Sequence, residues 1–89
     1  MAYNPKNLSV LAYANGFTLW HYGTTDTAAV VDTAGYFNSA ADMLRVGDMI
    51  IGNVATASSP QTGNFVVRSN SGGVVNVSDL TPLGALDTD

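Results

Sequence analysis

The chain has 89 residues, with no cysteine, one histidine, three basic and seven acidic side chains, and a net charge of −4. That excludes disulfides, and a lone histidine excludes a structural zinc site, which takes four Cys or His ligands. Three scattered bases exclude the clustered Lys and Arg that nucleic acid requires, and no apolar run approaches the roughly 18 residues of a membrane-spanning helix.

Residues 1–16 (MAYNPKNLSVLAYANG) read as an arm, because Pro5 and the asparagines around it break a regular start. Tyr3, Leu8, Val10, Leu11 and Tyr13 make it sticky enough to dock on a partner. The alternative is a first edge strand folded onto the chain's own sheet. Asn7, Ser9 and Asn15 interrupt the apolar residues, so the stretch does not read as a secretory leader.

Residues 17–22 (FTLWHY) are the clearest strand, dense in aromatic and β-branched side chains and bracketed by Gly16 and Gly23. Alternation places Phe17, Leu19 and His21 on one face and Thr18, Trp20 and Tyr22 on the other. Both faces carry bulk, so the second is a candidate contact with another subunit. Thr24 to Thr27 form a polar turn, and residues 28–32 (AAVVD) a short apolar segment. Phe37, Ala40, Ala41 and Leu44 then recur at helical spacing, with Asn38 or Ser39 as cap and Gly47 beyond the end. They predict a short helix at 38–45 lying over the sheet, too short to hold without packing.

A second strand is expected over 48–55 (DMIIGNVA), and residues 56–63 (TASSPQTG) read as a loop. Residues 64–69 and 73–78 form a β-hairpin about Asn70-Ser71-Gly72-Gly73, and residues 79–89 a tail that turns acidic at its end. The expected fold is mostly β: a small antiparallel sheet or barrel-like sandwich over 17–78, one short helix, and extended arms at 1–16 and 79–89.

Such a domain buries only about 60–65% of the surface its unfolded chain exposes. Without disulfide or metal, oligomerisation is the remaining reinforcement. Charged residues make up 11% of the chain, below the typical value of about 25%. A neutral surface of Asn, Thr, Ser and Gly suits burial against further copies or a scaffold.

The residues carry no catalytic set. His21 has only Asp26 near it in sequence, and the aspartates at 26, 32, 42 and 48 sit at turns or caps, in no calcium-loop spacing. Gly72-Gly73 lies in a hairpin rather than before a helix, so it is no phosphate loop. Neither enzyme activity nor a cofactor is expected. Trp20, Tyr22 and Tyr36 would form a sugar platform if exposed, and core or subunit packing if not.

The run FTLWHYGTTDTAAVVDTAGYFNSAADMLRVGDMIIG resembles small virion proteins encoded in the structural gene clusters of tailed phages and gene transfer agents. The shared elements are Trp20 and Tyr22, the turn Thr24 to Thr27, Gly35-Tyr36-Phe37, the stretch Asn38 to Leu44, and Gly47, Asp48 and Ile50. Thr62-Gly63, Phe65-Val66-Val67 and Val74-Val75 extend the likeness, which covers about residues 16–80. It implies a head-decoration, head-fibre or spike-base protein, usually trimeric and docked on the major capsid protein at the virion surface after synthesis in the host cytoplasm. Longer relatives append a fibre shaft and tip. Their absence from this sequence favours a cement role over host recognition, with a host surface glycan a lesser expectation. Capsid contacts are then expected from Tyr3, Leu8, Val10, Leu11, Tyr13, Leu80, Leu83 and Leu86. Phe17, Leu19, Trp20, Tyr22, Tyr36, Phe37 and Ile50 are expected in the core or subunit interface. A tail, neck or baseplate component and a carbohydrate-binding virion module are the rival readings.

Overall fold

The computed structural model describes residues 3–84. The fold is mostly β, as expected. Six strands form one mixed sheet: β1 (Leu8–Ala14), β2 (Phe17–Gly23), β3 (Met49–Val54), β4 (Gln61–Ser71), β5 (Val74–Val77) and β6 (Thr81–Pro82). The spatial order is β1-β2-β3-β4-β5, with the short β6 on β4. All pairs are antiparallel except β2 with β3, which run parallel. That parallel pair departs from the purely antiparallel sheet expected, and it follows from the intervening chain. Residues 24–48 are a crossover, the connection that parallel neighbours require.

Two turns set the hairpins. Asn15-Gly16 joins β1 to β2 with φ of 55° and 82°, and Gly72-Gly73 joins β4 to β5 with 60° and 81°. Positive φ at both central residues is the primed turn that matches strand twist, and Asn-Gly is its commonest sequence. Of the two arrangements expected for residues 1–16, Leu8–Ala14 takes the edge strand, with a bulge at Leu11. The expected loop 56–63 gives up Gln61 to Gly63 to β4, where they pair with Val54 to Gly52.

The helix expected at 38–45 is replaced by a single 3₁₀ turn, Asn38–Ala40, followed by further turns. Asn38 does not cap it. Its Oδ1 instead accepts from Val75 N, 2.9 Å, while Gly35 N donates to Val75 O, 2.9 Å. At the other end Asn70 Nδ2 donates to the carbonyls of Ala41 and Leu44, both at 2.7 Å. The backbone groups that would propagate a helix are thus engaged with the sheet. The apolar spacing still does its work, since Phe37, Ala40 and Leu44 are buried. The one α-helix, α1 (Ala28–Val31), lies earlier, in the segment expected only to be apolar. Thr27 caps it, accepting from Val30 N.

The core has two layers. Trp20, Tyr22, Ile50, Val54, Phe65, Val67, Val75 and Val77 line one face of the sheet, and Val31, Phe37, Ala40 and Leu44 of the crossover cover them. Leu80 closes one end, lying directly over Gly63, where any Cβ would come within 2.5 Å of it.

Candidate functional site

Polar chemistry sits at two places inside the fold. Asp48, fully buried at the start of β3, accepts three N–H groups. Its Oδ1 takes Thr18 N at 3.0 Å, and its Oδ2 takes Trp20 Nε1 at 3.2 Å and Arg45 N at 3.1 Å. One carboxylate therefore ties β2 to the end of the crossover. A carboxylate with several N–H donors is well satisfied without a cation.

The second place is a directed chain of hydroxyls. Asn4 N donates to Tyr22 Oη (3.0 Å), Tyr22 Oη lies 2.9 Å from Tyr36 Oη, and Tyr36 Oη donates to Asp26 Oδ2 (2.7 Å). Tyr3, Tyr22, Tyr36 and Phe37 pack around it, with Tyr3 stacked on Tyr22 at 5.6 Å and Phe37 edge-on to Tyr22 at 5.3 Å. The hydrogen bond from Tyr36 is the main cause that holds the Asp26 carboxyl below its usual range, against an opposing effect of burial. Burial and the same bonds push the Tyr36 hydroxyl far above the ordinary tyrosine value.

The pH dependence follows. The depressed carboxyl contributes stability above the unfolded carboxylate pKa of about 3.9 and loses it as pH falls through the lower folded value. The raised hydroxyl contributes fully below about pH 10 and loses its contribution as pH climbs beyond. Urea midpoints should therefore be flat between pH 5 and 9 with respect to these two groups, and drop on either side. Tyr36→Phe should cost about 1.5–3 kcal/mol at pH 7, the range of hydrogen bonds to charged groups, and should flatten both drops.

The expected site residues divide accordingly. Trp20, Tyr22, Phe37 and Ile50 are buried, Leu19 and Tyr36 are half-buried, and Phe17 is exposed with its ring against Gly47. With Trp20 and Tyr22 inside, the sugar platform drawn from Trp20, Tyr22 and Tyr36 is not on the surface. Tyr3, Leu8 and Leu80 pack against the core. Val10, Leu11 and Tyr13 of β1 and Leu83 are exposed, and Leu86 lies outside the described residues. Leu83 borders a shallow groove of about 330 Å³ with Pro60, Thr62 and Pro82. Among the described residues no group of three or more His, Cys, Asp or Glu side chains could hold a metal ion, and no helix is long and apolar enough to cross a membrane.

The second face of the sheet has no layer over it. Strand alternation and register put Phe17, Leu19, Met49, Ile51 and Val66 together at one end. His21, Asn53, Thr62 and Asn64 form the other end. There Asn53 Nδ2 donates to His21 Nε2 at 2.7 Å and Asn53 Oδ1 accepts from Thr62 Oγ1. These side chains are exposed or half-buried, and the face carries no charge from β1 across to Val66 of β4. Charge resumes at Arg68, at the bulge where β4 passes to β5. Sequence reasoning found the bulky second face of β2. It did not find that β3 and β4 continue it.

Comparison with protein-family models, with characterised proteins and with solved structures finds no match to this chain.

Proposed function

We propose that this chain is a non-enzymatic structural module of a phage-type virion, a homo-oligomeric decoration protein that docks on and stabilises the major capsid shell. The observation that carries the reading is how the residues of the resemblance are used. Trp20 bonds to Asp48, Tyr22 meets Tyr36 and Phe37, and Asn38 anchors β5. The shared pattern thus specifies a framework rather than a reaction centre, as expected of a module whose task is to hold a shape.

The mechanism is mass action. A protein that binds only the assembled shell stabilises that shell by linkage. In an oligomer, several weak contacts act together with high effective concentration. Val10, Leu11 and Tyr13 on the edge strand, with Leu83 on the opposite terminal segment, are the exposed apolar side chains offered to the capsid.

Cryo-electron microscopy of particles from cells that carry the gene tests this directly. Density for the chain on capsid facets or vertices is the expected result. Density at the neck, tail or baseplate would replace the capsid role with the rival virion role, and its absence from particles would remove both.

A further inference from the structure

We infer that the open face of the sheet is the surface through which copies of this chain meet, apolar end against apolar end. The inference rests on the proposed oligomer and assigns its interface. A sheet is stable when each apolar face is covered by another layer, and here the crossover covers only one. The uncovered faces of solvated sheets are normally polar. This one presents Phe17, Leu19, Met49, Ile51 and Val66 side by side.

Charge identifies the occupant as another copy. The chain is acidic overall, at −4, so two copies repel unless they meet through a neutral surface. The described charged side chains all lie off this face. An isologous contact places each patch against itself, which an uncharged patch tolerates and an acidic one does not. The polar end is self-compatible too, since His21, Asn53 and Thr62 already satisfy one another.

Area agrees. The chain exposes 5339 Å², against roughly 4,900 Å² for a self-sufficient monomer of its mass. Four strands about 4.8 Å apart and about six residues long give a face of roughly 400 Å² in projection. The exposed side chains of β1 beside it extend this toward the roughly 800 Å² per partner of a standard interface. Edge pairing is the weaker route. The far edge, β5, is closed by the bonds from Gly35 and Asn38, and the near edge, β1, is broken by its bulge.

Sedimentation of the full chain between 1 and 100 µM tests the inference, with circular dichroism as the check on folding. The wild type should be oligomeric, and Leu19→Lys with Met49→Lys should weaken association at least 100-fold. Val74→Lys, an exposed position outside this patch, should leave it unchanged. Should the double variant not fold, Met49→Glu alone should weaken association about 10-fold. An oligomer indifferent to these changes overturns the assignment and leaves the oligomer standing. A monomeric wild type overturns both. If that monomer still binds particles and loses binding with Met49→Glu, the capsid protein, not a copy, occupies the face. If the variants do dissociate the oligomer but the chain maps to the tail, the interface stands and the capsid role falls.

Discussion

Replacing Asp48 with alanine should cost about 3–5 kcal/mol. The carboxylate is fully buried, and three N–H donors converge on it from Thr18, Trp20 and Arg45. Each buried donor left without a partner costs about 1–3 kcal/mol, and some of the loss is recovered where the site relaxes or admits water. A domain of this length has roughly 5–13 kcal/mol in total, so the variant should be near the limit of folding at room temperature. Asp48→Asn should be milder, about half the loss. One oxygen still serves Trp20 and Arg45, while the new amide faces Thr18 N, donor against donor. Urea unfolding followed by Trp20 fluorescence measures both, and the indole should report loss of its bond before the global transition. Wild-type stability in the alanine variant would mean that water replaces the carboxylate at all three donors.

Phe65→Ala should cost about as much, 3–5 kcal/mol, by leaving a cavity under the crossover. Phe65 is fully buried, and its ring occupies the space above Gly52 on the neighbouring strand. A Cβ on Gly52 would sit 2.8 Å from Phe65 Cε2. Gly52→Ala alone should therefore cost about 1–3 kcal/mol through overpacking. In most strand interiors the same change would help by about 0.5–1 kcal/mol, because glycine loses more chain entropy on folding. The sign should reverse in the Phe65→Ala background, where the new methyl partly fills the vacated space. A double-mutant cycle in urea measures that coupling. Additive costs would show that the ring moves aside and that the glycine is there for some other reason.

Much of this architecture was legible because side-chain alternation is a local signal. Phe17 to Tyr22 read as a strand from their own residues, and Gly72-Gly73 marked the second hairpin in the same way. The first hairpin was equally legible. Asn15-Gly16 is a primed-turn signature, but Pro5 and the polar residues before it drew residues 1–16 toward an arm. The helix at 38–45 failed for a non-local reason. The spacing of Phe37, Ala40 and Leu44 correctly named one buried face. Whether a helix then forms depended on Asn38 and Asn70, whose amides are claimed by β5 and by the turn carbonyls. Four residues earlier than that segment begins to pack, α1 had only Thr27 as its signal.

The same limit applies to the candidate site. That the second face of β2 carried bulk was readable from Phe17, Leu19 and His21. That Met49, Ile51 and Val66 lie beside them required the parallel register of β2 on β3, which no local pattern encodes. Asp48 looked like a turn residue and is one, yet its carboxylate is directed inward by donors that come from β2, 28 to 30 residues away in sequence.

The parallel pairing of β2 with β3 also governs the order of events when the chain first folds. The two hairpins close through two-residue turns, on the microsecond scale typical of such units. The centre of the sheet cannot, because Leu19 must find Met49 across the whole crossover before any contact there compensates for closing that loop. The newly made chain therefore passes through a stage with two separate ribbons, each showing apolar side chains on both sides. In a crowded cell that is the stage most exposed to wrong partners. Synthesis from the N-terminus lengthens it, since β1 and β2 emerge complete while the strand they await is still being made.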